Sequence, residues 1–344
     1  MPLKLQNTTN IYVWFFLNAN VRRTQSAFKH AIAINGTTNI SVTHNAYTVQ
    51  VILHSLILKS SLFVILALAA SNTGYCRLCA NHVACRNSGA FHVSCPRDRI
   101  LLKIAGPVQD FILDYHNRLR SFIAVGAENN HKHACRMATM QWDDELAMLA
   151  EFNVKRCTLK RDYCIKTRKF PFPGQNLGYS ISMNPLPLKN AVEVILDNWS
   201  HEIDSAKPEN IESYQVNDTV PYFGHFTLMV NDHNTRVGCA ASRYSHYDES
   251  NDVMWKTTLL ACNYATTNTI GSAVYDTNCS RPAIKCQIST EKDIIGLCSP
   301  EEPYDFNKLV IFNKDFNFKG TELQKALEFP LSTGLQQRHC GDRF

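Results

Sequence analysis

Apolar side chains along this chain fall into two periods. Between Pro107 and Gly126, the residues Val108, Phe111, Ile112, Tyr115, Leu119 and Phe122 recur at three- and four-residue spacing. That predicts a helix with one apolar stripe, opened by the proline and stopped by the glycine. A second helix is predicted to start at the cap pair Asp143 or Asp144 and to run through Leu146, Leu149, Ala150 and Val154 to about Cys157. A third covers residues 188–203, with Val192, Ile195, Leu196 and Trp199 turned inward. Residues 222–230 alternate instead. Read as a strand, they place His225, Thr227 and Met229 on one face and Phe226, Leu228 and Val230 on the other. Two more β-rich runs, 236–240 and 255–264, each hold a cysteine (Cys239, Cys262), which predicts an antiparallel sheet closed by a bond across it. Residues 127–139 read as a loop, and 75–107 as a cysteine-rich knot with few secondary-structure signals. Periodicity fades after Thr266. Beyond residue 305 the chain reads as linker, with a short helix predicted at 321–327.

Charge changes the picture through its location. The chain of 344 residues has a net charge of +5, but residues 1–70 hold Lys4, Arg22, Arg23, Lys29 and Lys59 and no acidic residue. The remainder is neutral, with 30 basic against 30 acidic side chains. No basic footprint for nucleic acid exists there. Residues 61–70, Ser-Leu-Phe-Val-Ile-Leu-Ala-Leu-Ala-Ala, form an apolar run behind Lys59, with small residues following. Such a run is a signal-peptide hydrophobic region with a cut near residues 69–74, too short for a stable membrane span. Residues 1–70 are therefore read as a leader, removed or preceding the true start. All 13 cysteines lie beyond it, and Cys76, Cys79, Cys85 and Cys95 crowd into twenty residues. Alone, that spacing suits a zinc knuckle or a disulfide staple; with the leader, secretion and disulfides are the expectation. Asn7, Asn35, Asn39, Asn198, Asn217 and Asn278 each open a glycosylation triplet.

Four stretches share a resemblance. His116-Asn117-x-x-Arg120, Gly174-Gln175-Asn176-Leu177, Gly224-His225-Phe226-Thr227 and Leu259-Leu260-Ala261-Cys262-Asn263-Tyr264 resemble, in order, the signatures of the CAP superfamily. The run from Arg136 to Ala147 is similar to the insect antigen-5-related branch, whose secreted members include venom allergens. The resemblance implies an α+β fold, a three-layer α-β-α sandwich with helices on both faces of a mostly antiparallel sheet. It divides the chain into a knot (71–106), a CAP domain (107–268), a cysteine-containing extension (269–305) and a poorly structured tail (306–344). It further implies the pairs Cys76–Cys85, Cys79–Cys164, Cys95–Cys157, Cys239–Cys262 and Cys286–Cys298, and leaves Cys135, Cys279 and Cys340 open.

The family's cavity carries two histidines and two acidic residues that suit a divalent metal. Carried over, these positions fall at His225, Glu202, Gln175 and Arg161. Gln175 is a poor ligand and Arg161 has no lone pair to give. The expectation is a Glu202–His225 pair bridged to Arg161, with no metal and no cofactor. His116, Asn117 and Arg120 are expected in a buried polar network. A hydrolase using His225 and Glu202 is the alternative. His201-Glu202 hints at a zinc-protease helix, but Ser205 stands at the second histidine position and no Gly-x-Ser-x-Gly elbow occurs. Thr227, two strand residues from His225, would lie about 6.5–7 Å away, too far for direct proton transfer. His131-Lys-His133-Ala-Cys135 offers three potential ligands, set against a plain solvated loop. A secreted, non-enzymatic binding protein is therefore expected, its partner a small lipid or other apolar ligand or an extracellular protein, with no nucleic acid. A toxin-like role ranks last, because only four cysteines follow residue 265.

Overall fold

The two longest β runs build the frame. In the computed structural model, which describes residues 74–127, 131–215 and 222–305, β5 (Arg236–Asp248) and β6 (Val253–Tyr264) pair antiparallel with Cys239 opposite Cys262. The leader, the tail from 306 and the helix expected at 321–327 lie outside the described residues. β6 also pairs antiparallel with β4 (Gly174–Ser182). The far edge of β5 takes β1 (Ile100–Leu102) antiparallel and the short β3 (Gln141–Trp142) parallel. The order is β1-β5-β6-β4.

Both faces are covered, and side-chain alternation sorts the core. Leu259 and Ala261 pack with Ala150 and Val154 of α2 (Asp144–Val154). Leu260, Cys262 and Tyr264 pack with Ile112 of α1 (Pro107–Ala124) and with Ile195 and Trp199 of α3 (Leu188–Ser200). The result is the three-layer α-β-α sandwich, and the sheet interior is apolar on both sides because helices seal both. α1 starts at Pro107 as predicted, and Asp143 caps α2 by accepting the Leu146 N–H at 3.0 Å. Phe122 departs from its expected place: it is exposed at the end of the stripe. α3 runs into a 3-10 turn (His201–Ser205), followed by the five-residue α4 (Pro208–Glu212).

Residues 222–230 correct the sequence reading most. They contain a helix, α5 (Gly224–Val230), and no strand. Phe226 and Val230 enter a cluster with Ile123, Tyr214 and Tyr275, while Leu228 and Met229 enter the main core. Demand from several directions suits side chains projecting all round a helix. A run this short carries no decisive period of its own. The knot also differs from expectation, because its end supplies β1 to the sheet. The extension adds β7 (Leu297–Cys298), parallel to β2 (Met137–Ala138), and contributes Val274, Tyr275 and Leu297 to the cluster around α5.

Six disulfides join described residues. They are the five pairs implied by the resemblance plus Cys135–Cys279. Cys340 lies outside the described residues. Cys79–Cys164 and Cys95–Cys157 tie the knot to the segment after α2 across 85 and 62 residues of chain. Each stabilises by ~4 kcal/mol in the chain-entropy view.

Two glycines mark close approaches. At Gly178 a Cβ would meet Ile195 Cγ2 at 2.6 Å, so α3 lies directly on β4. At Gly238 a Cβ would collide with the backbone of Asp143 and Ala147, which cannot yield as a side chain would. Gly238→Ala is therefore expected to cost about 3 kcal/mol or to prevent folding, measured as the urea midpoint of secreted protein.

Candidate functional site

The site is organised by α5, seven residues long and held at both ends by charged side chains from other elements. At its start stands Glu202, from the 3-10 turn after α3. One Glu202 oxygen accepts the backbone N–H groups of His225 (2.8 Å) and Phe226 (3.0 Å). The other lies 2.6 Å from His225 Nδ1. A carboxylate at a helix N-terminus satisfies orphan N–H donors and meets the positive end of the dipole. At the opposite end, Arg120 from α1 donates to the carbonyls of Met229 (2.9 Å) and Asn231 (2.7 Å), and to that of Ala138 (2.9 Å). Arg120 is wholly buried, and burial lowers its pKa to about 10, which leaves it charged at neutral pH.

His116 extends the network into the sheet. Its Nδ1 lies 2.7 Å from the Ile112 carbonyl, which can only accept, so Nδ1 carries the proton. Nε2 must then accept from the Tyr264 hydroxyl at 2.9 Å. The Tyr264 oxygen receives Asn176 Nδ2 at 3.3 Å, and the same amide donates to the His225 carbonyl at 3.1 Å. Asn117 brackets Met140 by donating to its carbonyl and accepting its N–H. The three motif residues of α1 thus reach β6, the approach to β3 and the end of α5. Burial holds the His116 pKa down to about 4.

The four positions carried over from the family's cavity do not converge. Glu202 and His225 touch, with side chains only 16% and 20% exposed. The Gln175 side chain lies on the α2 face: it donates to Asp162 (2.7 Å) and Asn263 (2.9 Å), and Asn263 bonds Leu146 of α2. Arg161 bonds the Gln175 carbonyl and reaches the Tyr222 hydroxyl at 3.3 Å. The expected Arg161 bridge to Glu202 is absent among the described residues; Tyr222 stands at that position instead. A divalent metal does not fit here. Both Glu202 oxygens are bonded, Gln175 faces away, and Arg161 brings a fixed positive charge. Among the described residues no group of three or more His, Cys, Asp or Glu side chains is gathered. The His131–Cys135 loop is likewise structural, since Cys135 is bonded to Cys279 and His133 Nε2 contacts the Cys279 carbonyl at 3.1 Å.

Comparison with known proteins adds the family. The model of the cysteine-rich secretory protein (CAP) family matches residues 113–264. Antigen 5 like allergen Cul n 1 of Culicoides nubeculosus is 40% identical over 166 residues, which are 48% of this chain and 74% of that protein. Venom allergen-1 of Aedes albopictus is 34% identical over 222 residues, 64% and 84% of the two chains. The chain belongs to the cysteine-rich secretory protein family. Tabinhibitin 3 of Tabanus yao is a further relative, 30% identical over 246 residues, 70% of this chain and 92% of that one.

Within this CAP domain, sequence reasoning turned Trp199 inward as core and passed over Asp162. Trp199 is buried but also stacks on the His225 ring at 5.6 Å, and Tyr222 meets that ring edge-on at 5.0 Å. Asp162, next to Arg161, holds Gln175 and lies 3.0 Å from Arg156 Nη2. Burial raises its pKa against these partners. The parity of Gln175 with the inward Leu177 on one strand was the available signal for its facing α2.

His116 sets a pH test. The native ring resists protonation to about pH 4, whereas an unfolded histidine takes a proton near its ordinary 6.5. Between those values the unfolded state binds the extra proton, so stability falls on acidification by about 1.4 kcal/mol per pH unit from this group. Urea unfolding of His116→Gln between pH 4.5 and 6 should show a shallower slope than the parent, by about that amount.

Proposed function

We propose that this CAP-domain protein is secreted and works by binding, without catalysis, holding a small apolar ligand or an extracellular protein. The observation that carries the reading is that the carboxylate and the buried guanidinium at the two ends of α5 are committed to structure. Glu202 caps α5 and orients His225, and Arg120 closes the other end. Thr227, the hydroxyl weighed as a nucleophile, donates to the Phe223 carbonyl at 3.0 Å and accepts from Asn268 at 2.8 Å inside the protein. On a helix, residues two apart point to different sides, so His225 and Thr227 do not share a face. Secretion is supported by the apolar run at 61–70, by the six disulfides and by the family's character. No helix among the described residues is long and apolar enough to cross a membrane.

One feature favours the hydrolase reading. His225 has Nδ1 on a carboxylate and no hydrogen-bond partner at Nε2 among the described residues, the orientation of a general base. No described hydroxyl, thiol or metal site completes it. Native mass spectrometry of protein secreted from insect cells, run beside peptide and ester substrate panels, separates the two. The expected result is a mature chain lacking the first 70 or so residues, a non-covalent adduct removed by organic solvent or a captured protein, and no turnover. Hydrolysis that disappears in His225→Ala would overturn the reading.

A further inference from the structure

Beside the start of α5, Arg161 holds the Tyr222 hydroxyl and the Tyr222 ring meets the His225 ring. From that grouping we infer that Arg161, Tyr222 and His225 form a recognition site for an anionic oxygen that has a hydroxyl beside it, as in hydrogen phosphate, a phosphate monoester or a hydroxy-carboxylate. The inference rests on the binding-protein reading and names the ligand chemistry of that same site. Arg161 supplies the positive pole. Its guanidinium is held by the Gln175 carbonyl and by the Tyr222 hydroxyl at 3.3 Å, and no carboxylate among the described residues pairs with it. Two N–H groups are engaged, and a guanidinium has five, arranged to meet oxyanions.

His225 supplies the complementary acceptor. Glu202 accepts, so the Nδ1 at 2.6 Å from it carries a proton, and in the ring's neutral form Nε2 presents a lone pair. Tyr222 links the two groups, its hydroxyl on Arg161 and its ring 5.0 Å from the His225 ring. Trp199, stacked at 5.6 Å and 15°, fixes the plane of the imidazole. The backbone bonds from Glu202 to His225 and Phe226 keep the pair from swinging toward a ligand. A donor and an acceptor held through the same tyrosine select a ligand that can accept and donate together. An oxyanion without a hydroxyl would set its charge against the Nε2 lone pair and leave it unpaired.

The test uses the mature secreted protein at low ionic strength, titrated with inorganic phosphate, sulfate, glycolate and acetate at pH 7. Trp fluorescence and the His225 ring NMR signals are the readouts. Phosphate or glycolate should bind in the millimolar range, at least five-fold more tightly than sulfate or acetate respectively. The phosphate and glycolate arms tell a phosphate ligand from a hydroxy-acid. Arg161→Gln should weaken binding at least ten-fold with an unchanged circular dichroism spectrum, and Arg161→Lys should restore part of it. His225→Gln should remove the preference for phosphate over sulfate. Absence of saturable binding, equal binding of sulfate, or full binding by Arg161→Gln would overturn the inference. Native mass spectrometry showing a captured ligand or protein in that case would leave the binding-protein reading standing.

Discussion

A seven-residue helix cannot hold itself together in water, and the clamp on α5 is what the centre of this protein depends on. A helix this short leaves most of its terminal N–H and C=O groups without internal partners. Here Glu202 answers the N-terminus and Arg120 the C-terminus, each from a different helical element. Asn234 adds a bond to the Leu228 carbonyl at 2.8 Å, and Asn176 takes the His225 carbonyl. Through these contacts α1, the turn after α3, β4 and α5 become one unit. The same arrangement accounts for the chemistry: a carboxylate engaged in capping is not available to a metal, and the imidazole beside it is fixed in one tautomer.

The periphery follows from that centre. Phe226 and Val230 of α5 need a cover, and the extension provides one with Val274, Tyr275 and Leu297. Arg136 then fastens the extension's end. It pairs with Glu302 at 2.7 Å and lies over the Tyr304 ring at 4.4 Å, while Tyr304 donates back to the Arg136 carbonyl at 3.0 Å. Cys135–Cys279 and Cys286–Cys298 secure the same layer. On the other side, the knot covers α2: Ala84 packs on Leu149 and Phe152, and the Tyr75 hydroxyl donates to Glu145 at 2.7 Å. Disulfides hold the covers, while the polar network on α5 holds what they cover.

Much of this was legible in the sequence wherever a period or a signature spanned enough residues. The stripes of α1 and α3, a cap at Asp143 or Asp144 and the paired Cys239 and Cys262 could all be read directly. α5 could not, because alternation over nine residues fits a strand and a wholly buried helix equally well. The resemblance supplied five disulfides; Cys135–Cys279, 144 residues apart, had no local signal. β1 was hidden because three apolar residues in a row carry no pattern. For the site, the Glu202–His225 contact was foreseen. The bridging place of Tyr222 and the turn of Gln175 toward α2 were not, since both depend on strand register and on where α5 begins.

Backbone hydrogen exchange in Glu202→Ala tests the clamp most directly, because it reads the N–H groups that the carboxylate holds. The account predicts that the His225 and Phe226 amides lose about thirty-fold in protection, equivalent to ~2 kcal/mol of local opening, while the paired amides of β5 and β6 keep theirs. Unchanged protection throughout α5 would contradict it.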